Sequence, residues 1–133
     1  MSIPMRAKAR NAFTLIELLI VIVIIGILAA IAIFKYSSSK DKAAFAAVKS
    51  DLRNLITVEE SYFADTRLYS TDQAAINFKP SQGVTVTITT LDPSQGWSAV
   101  GVNSTITAAS NSCQIHLGGD VGAGQLDGVA TCP

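Results

Sequence analysis

Apolar positions follow three different rhythms along this chain. Residues 18–34, LLIVIVIIGILAAIAIF, contain no charged or hydrogen-bonding side chain, and carrying the run back to Phe13 gives 22 residues whose polar members are Thr14 and Glu17. A helix of that length rises about 33 Å, enough for the ~30 Å hydrocarbon core of a bilayer. From Asp41 the pattern turns amphipathic. Phe45, Val48, Leu52, Leu55 and Tyr62 recur at helical spacings, while Lys49, Arg53 and Glu60 fall on other faces. No Gly or Pro stands between Ile27 and Lys79. The pattern predicts one helix from about Phe13 to about Ala64, with a soft spot at Ser37-Ser38-Ser39 and a weak point at Gly26.

The third rhythm has a period of two. Residues 65–83 are rich in turn formers, with Tyr69, Ile76 and Phe78 as expected anchors onto the helix. Val84-Thr85-Val86-Thr87-Ile88-Thr89 then alternates apolar residues with threonine, one face buried and one wet. A turn at 92–96 and a second strand at 97–102 make a hairpin, and 113–117 and 128–132 are short candidates for strands three and four. The expected fold class is α+β: a long amino-terminal helix packed on a small antiparallel sheet. The Phe45/Tyr62 stripe reads as core packing rather than as a path for electrons.

Composition narrows the function. Ten basic and ten acidic residues give no net charge, and after residue 12 seven basic residues face ten acidic ones, so no basic stripe suits nucleic acid. A mean hydropathy of +0.38 is high for a soluble globule of this size. A core helix apolar on all sides needs a larger protein around it, so the first run reads as a membrane segment. Arg6, Lys8 and Arg10 precede it without any acid, whereas Lys35, Lys40, Asp41 and Lys42 follow it. That asymmetry holds the amino terminus in the cytoplasm and exports residues 37–133. Cys113 and Cys132 then reach an oxidising space, where they can pair, and a bridge of that loop length is worth roughly 3 kcal/mol. One histidine, His116, and two cysteines are too few for a zinc site. No phosphate loop or nucleophile motif is present, so neither an enzyme nor a cofactor is expected.

A conventional signal peptide cut at Ala30-Ile31-Ala32 would release a small exported binding protein beginning at Ile33. Its apolar stretch would be long for that role. Glu17 is left unexplained, because a carboxylate inside an apolar helix normally has a partner and the nearest cations lie upstream of Phe13.

The stretch Ala12-Phe13-Thr14-Leu15-Ile16-Glu17-Leu18, followed by the apolar run to Phe34, resembles the amino terminus of type IV pilins and their pseudopilin relatives. The resemblance is strong over residues 6–36 and extends as an architecture to the carboxyl terminus, cysteine pair included. It implies that residues 1–12 are a leader, removed by a membrane prepilin peptidase between Ala12 and Phe13, with Phe13 becoming N-methylphenylalanine. Residues 13–36 would span the inner membrane and later pack in a filament core, and 37–133 would be the exported head. The new amine of Phe13 would meet the Glu17 carboxylate of a neighbouring subunit.

Two positions depart from the family pattern. Ala12 stands where glycine usually precedes the cut, and Phe34 stands where a proline usually kinks the helix, so a more continuous helix is expected here. The glycine-rich segment 114–131, with Asp120 and Asp127, is similar to the calcium loop of some pseudopilins, yet two carboxylates make a poor calcium site, and no metal is expected. The function implied is a structural subunit of a surface pilus, used in adhesion, motility or DNA uptake. It would be a homopolymer extended by a separate ATPase and platform. Its alternative within the family is a minor pilin or a type II secretion pseudopilin.

Overall fold

A computed structural model describes residues 13–119 and 126–133. The order of elements is one helix, α1 (Leu15–Thr66), followed by three strands, β1 (Val84–Thr89), β2 (Gly96–Asn103) and β3 (Ser112–Gly118). The chain divides into two compact units, one ending at Tyr36 and one beginning at Ser37.

Helix α1 is assigned without interruption for 52 residues, through Gly26, Phe34 and the three serines at 37–39. The continuity expected from phenylalanine at position 34 is therefore present, and the serines form no break. The helix ends two residues beyond the expected Ala64. Arg67 adopts a left-handed backbone (φ 61°) and donates its N–H to Phe63 O at 2.8 Å. That conformation is costly for a non-glycine residue but satisfies a terminal carbonyl.

The strands form an antiparallel sheet in the order β1-β2-β3, with Val86 opposite Gly101 and Gly101 opposite Cys113. The alternation in β1 is the one expected, with Val84, Val86 and Ile88 buried and the three threonines exposed. These side chains meet Trp97 and Ala99 of β2, Cys113 and Ile115 of β3, and Val48, Leu52 and Leu55 of α1 in one core. Ile76 and Phe78 are buried in it and Tyr69 packs against it, as expected of the connecting segment. Gly101 sets how closely the helix approaches the middle strand. A Cβ there would lie 2.6 Å from Val48 Cγ1.

The expected fourth strand is not formed. Among residues 128–132 pairing shrinks to a single bridge, Gln114 with Thr131, closed by two hydrogen bonds of 2.8 Å. Gly128 sits at φ 69° and Val129 N–H turns back to Leu126 O, so the chain is extended for too few residues to build a ladder.

Three carboxylates on α1 hold the loops, a use not apparent in the sequence reading. Asp41 accepts the N–H and hydroxyl of Thr107 (3.1 and 2.9 Å), and Asp51 those of Ser81 (both 2.8 Å). Glu59 accepts the N–H of Ser70 at 3.1 Å. Glu59 is fully buried and its second oxygen, Oε1, has no hydrogen-bond partner. Burial pushes its carboxyl above the usual range, opposed by the Ser70 N–H and reinforced by neighbouring Glu60. A carboxyl raised on folding contributes stability that is complete below its unfolded value and lost as pH climbs through its folded one. Glu59→Gln keeps an acceptor for Ser70 and removes the buried charge. Its melting temperature should match the parent at pH 4 and exceed it at pH 8; equal temperatures at both pH values would show that Glu59 is not held under strain.

Candidate functional site

The amino-terminal unit presents a chemistry that water does not tolerate. Every residue from Leu15 to Phe34 is exposed, and an 18-residue stretch of the helix reaches a mean hydropathy of 3.2 with none of it buried. It is the one candidate membrane span among the described residues. At about 25 cal/mol per Å2, apolar area on this scale demands lipid or neighbouring helices. Gly26 lies within the run, and a Cβ added there would meet open space. No contact among the described residues requires a glycine at that position.

The start of the helix corrects one expectation. Glu17 does have a partner in its own segment. Its Oε2 accepts the Thr14 N–H at 2.8 Å and the Thr14 hydroxyl at 2.7 Å, while Thr14 Oγ1 faces the Glu17 N–H at 3.3 Å. This is a capping box, in which a threonine and a glutamate three residues later satisfy each other's orphan N–H groups. The T-x-x-E spacing at 14–17 is the sequence signature of this cap. The box also explains why α1 begins at Leu15 rather than Phe13. Phe13 itself is 79% exposed. Ala12, and with it the expected cleavage bond, lies outside the described residues.

At the other end of the chain Cys113 and Cys132 are joined, with Cα atoms 4.2 Å apart, and no free cysteine is present among the described residues. Cys113 is fully buried in the core and Cys132 packs against its margin. Asp127 accepts the Gly118 N–H at 2.9 Å, so it closes the turn after β3. Asp120, the other acid of the expected loop, lies outside the described residues. Among the described residues no group of three His, Cys, Asp or Glu side chains could hold a metal ion. His116 is half-buried on β3, opposite Ser98.

Glu59 and Asp51 are the residues that periodicity should have exposed. The apolar stripe 48, 52, 55, 62 skips a helical step, and position 59 fills it with a carboxylate. Tyr69, stacked on Phe63 at 4.5 Å between ring centroids, donates its hydroxyl to Glu60 at 3.0 Å. Burial and that acidic neighbour push the phenol up to about 12.

Comparison with known proteins places these features. The prokaryotic N-terminal methylation motif matches residues 7–33. The type IV major pilin protein PilA of Myxococcus xanthus is 42% identical over 79 residues, which are 59% of this chain and 36% of that protein. The type IV wide pilus major component PilA4 of Thermus thermophilus is 44% identical over 69 residues, covering 50% of this chain and 53% of that one. The type II secretion system core protein G of Klebsiella michiganensis is 38% identical over 80 residues, covering 58% and 56%. The chain thus spans from about a third to somewhat over half of the length of these relatives.

Proposed function

We propose, starting from an amino-terminal segment that is a type IV pilin and pseudopilin segment, that this chain is a structural subunit of a type IV pilus. The methylation motif over residues 7–33 carries the reading, because it joins an apolar helix with no internal cover to a signal for amino-terminal processing. In this reading a prepilin peptidase cuts between Ala12 and Phe13 and the new amino group of Phe13 is methylated. The subunit waits in the bacterial inner membrane, held by residues 13–36. Assembly transfers the helix from lipid to neighbouring helices, so the apolar area stays out of water throughout. A separate ATPase and platform drive extension, and the product is an extracellular homopolymer.

Glu17 has two tasks in this scheme. In the monomer it caps its own helix through Thr14. In the filament its negative charge pairs with the Phe13 amine of a neighbour and selects the stagger between subunits. A Glu17 oxygen can serve both, since a carboxylate has acceptor capacity beyond two hydrogen bonds.

The core protein G relatives support a second reading, in which the same architecture serves as a secretion pseudopilin. Amino-terminal sequencing and intact mass of material sheared from the cell surface test the proposal. An N-methylated chain starting at Phe13, as the main band of surface filaments, is the expected result. A processed chain confined to the envelope would favour the pseudopilin, and a start at Ile33 would overturn both in favour of a released protein.

A further inference from the structure

The charges of the exported unit sort along α1. Lys40, Lys42, Lys49 and Arg53 occupy its earlier turns together with Asp41 and Asp51, engaged by Thr107 and Ser81 respectively, whereas Glu59, Glu60 and Asp65 occupy its end, whose last turn holds no basic residue. A helix macrodipole favours cations at its carboxyl end, so helix stability does not account for this order.

The acidic end carries an apolar centre built from three loops. Backbone hydrogen bonds tie those loops together: Tyr69 N–H to Pro93 O (2.8 Å) and Gly119 N–H to Gln95 O (3.0 Å). The Gly118 N–H donates to Asp127 as a third tie (2.9 Å). Leu68, Leu91 and Leu126 are thereby brought to one end of the sheet, 48%, 92% and 68% exposed. Next to these leucines in the chain stand Asp92, beside Leu91, and Asp127, beside Leu126, with Asp65 and Arg67 just before Leu68. Hydrogen bonds from Ser94 hold Asp92 below the usual carboxylate range, so its charge persists. Single exposed leucines are ordinary, but three from separate loops on one acidic end form a surface.

The opposite end is about 25 residues back along α1, some 38 Å at ~1.5 Å per residue. Lys40, Lys42 and Ala43 are exposed there, beside Ala108 and Ala109 of the loop that Thr107 ties to Asp41. Small side chains leave room for leucines, and lysines complement aspartates.

We propose that the acidic, leucine-bearing end of this unit docks on the lysine-bearing end of a second copy of the chain. The proposal rests on the filament reading and adds its head-to-head-group contact. Two unlike ends that fit each other make a head-to-tail contact, which repeats into an open filament wherever the rotation does not close a ring. An anionic lipid surface is the wrong partner for the acidic rim, and a self-complementary dimer would set that rim against itself.

Filament yield from cells making the full chain reads this contact, with the disulfide-bonded chain in the membrane as the folding control. Leu91→Lys should lower sheared filament at least tenfold with an unchanged membrane pool, because it sets a cation against Lys40 and Lys42. Leu91→Glu should retain far more filament, and Lys40→Glu/Lys42→Glu should restore the Leu91→Lys chain. Wild-type yield from Leu91→Lys, or equal losses from both Leu91 variants without rescue, would overturn the docking while leaving the filament reading intact. A parent chain that makes no filament would overturn the filament reading and the docking with it.

Discussion

Glutamine at position 17 is expected to cut surface filament at least tenfold while the processed chain accumulates in the membrane. The choice of glutamine matters because Glu17 is already engaged by Thr14 through Oε2. A capping box accepts Gln as well as Glu, so Glu17→Gln keeps the helix start and removes the charge. Glu17→Ala removes both. At 4 Å and an effective dielectric of about 20, a pair between this carboxylate and the Phe13 amine of a neighbour gains about 4 kcal/mol, from which desolvation is subtracted. A remainder of 2 kcal/mol is still roughly thirtyfold in each association step. If the charge drives assembly, the glutamine and alanine chains fail alike, and Thr14→Ala, which spares the carboxylate, assembles far better than either. If the cap is all that matters, the glutamine chain makes filaments at the parent level and the pairing idea is lost.

Removing the Cys113–Cys132 bridge should have the largest effect on the stability of the unit that begins at Ser37. The loop it closes is worth about 3 kcal/mol in chain entropy, a large share of the roughly 5–15 kcal/mol that holds a domain folded. For a unit of this size that corresponds to a melting temperature lower by about 12–24 °C. Cys113, on β3, is fully buried in the core, and β3 hands the chain on to a carboxyl-terminal segment paired with it at one bridge, Gln114 with Thr131. The remaining ties of the described tail to β3 are hydrogen bonds, Gly118 N–H to Asp127 and Gly128 N–H to His116, and the burial of Ala130. Thermal unfolding of the full chain in detergent, with and without reductant and with Cys113→Ala/Cys132→Ala, measures the effect. A shift of under about 3 °C would show that packing of Ala130 and Ile115 holds the tail unaided.

Local rules carried the first half of the chain. An unbroken apolar run allows little besides a helix surrounded by lipid or by other helices, and the 3.6-residue rhythm after Asp41 continues it without any breaker. Strand β1 was equally legible, since alternation of valine or isoleucine with threonine permits one burial pattern and one register of faces. The failures share a cause. Residues 128–132 have strand-like composition, but a strand requires a partner along its length, and Gly128 and the turn at Leu126 leave it one residue pair.

The loop-holding roles of Asp41, Asp51 and Glu59 depend on contacts with Thr107, Ser81 and Ser70, between 11 and 66 residues away in sequence. A carboxylate on an apolar stripe could be noticed in advance; its partner could not. The meeting of Leu68, Leu91 and Leu126 is of the same kind, since each is unremarkable in its own loop. Periodicity acts between neighbours and so determines the helix, its apolar half and the capped start at Thr14. Which distant loops a helix gathers, and which exposed side chains thereby share one end, is settled by the closing of the core around Val48, Leu52 and Trp97, because those contacts exist only once the sheet has folded onto the helix.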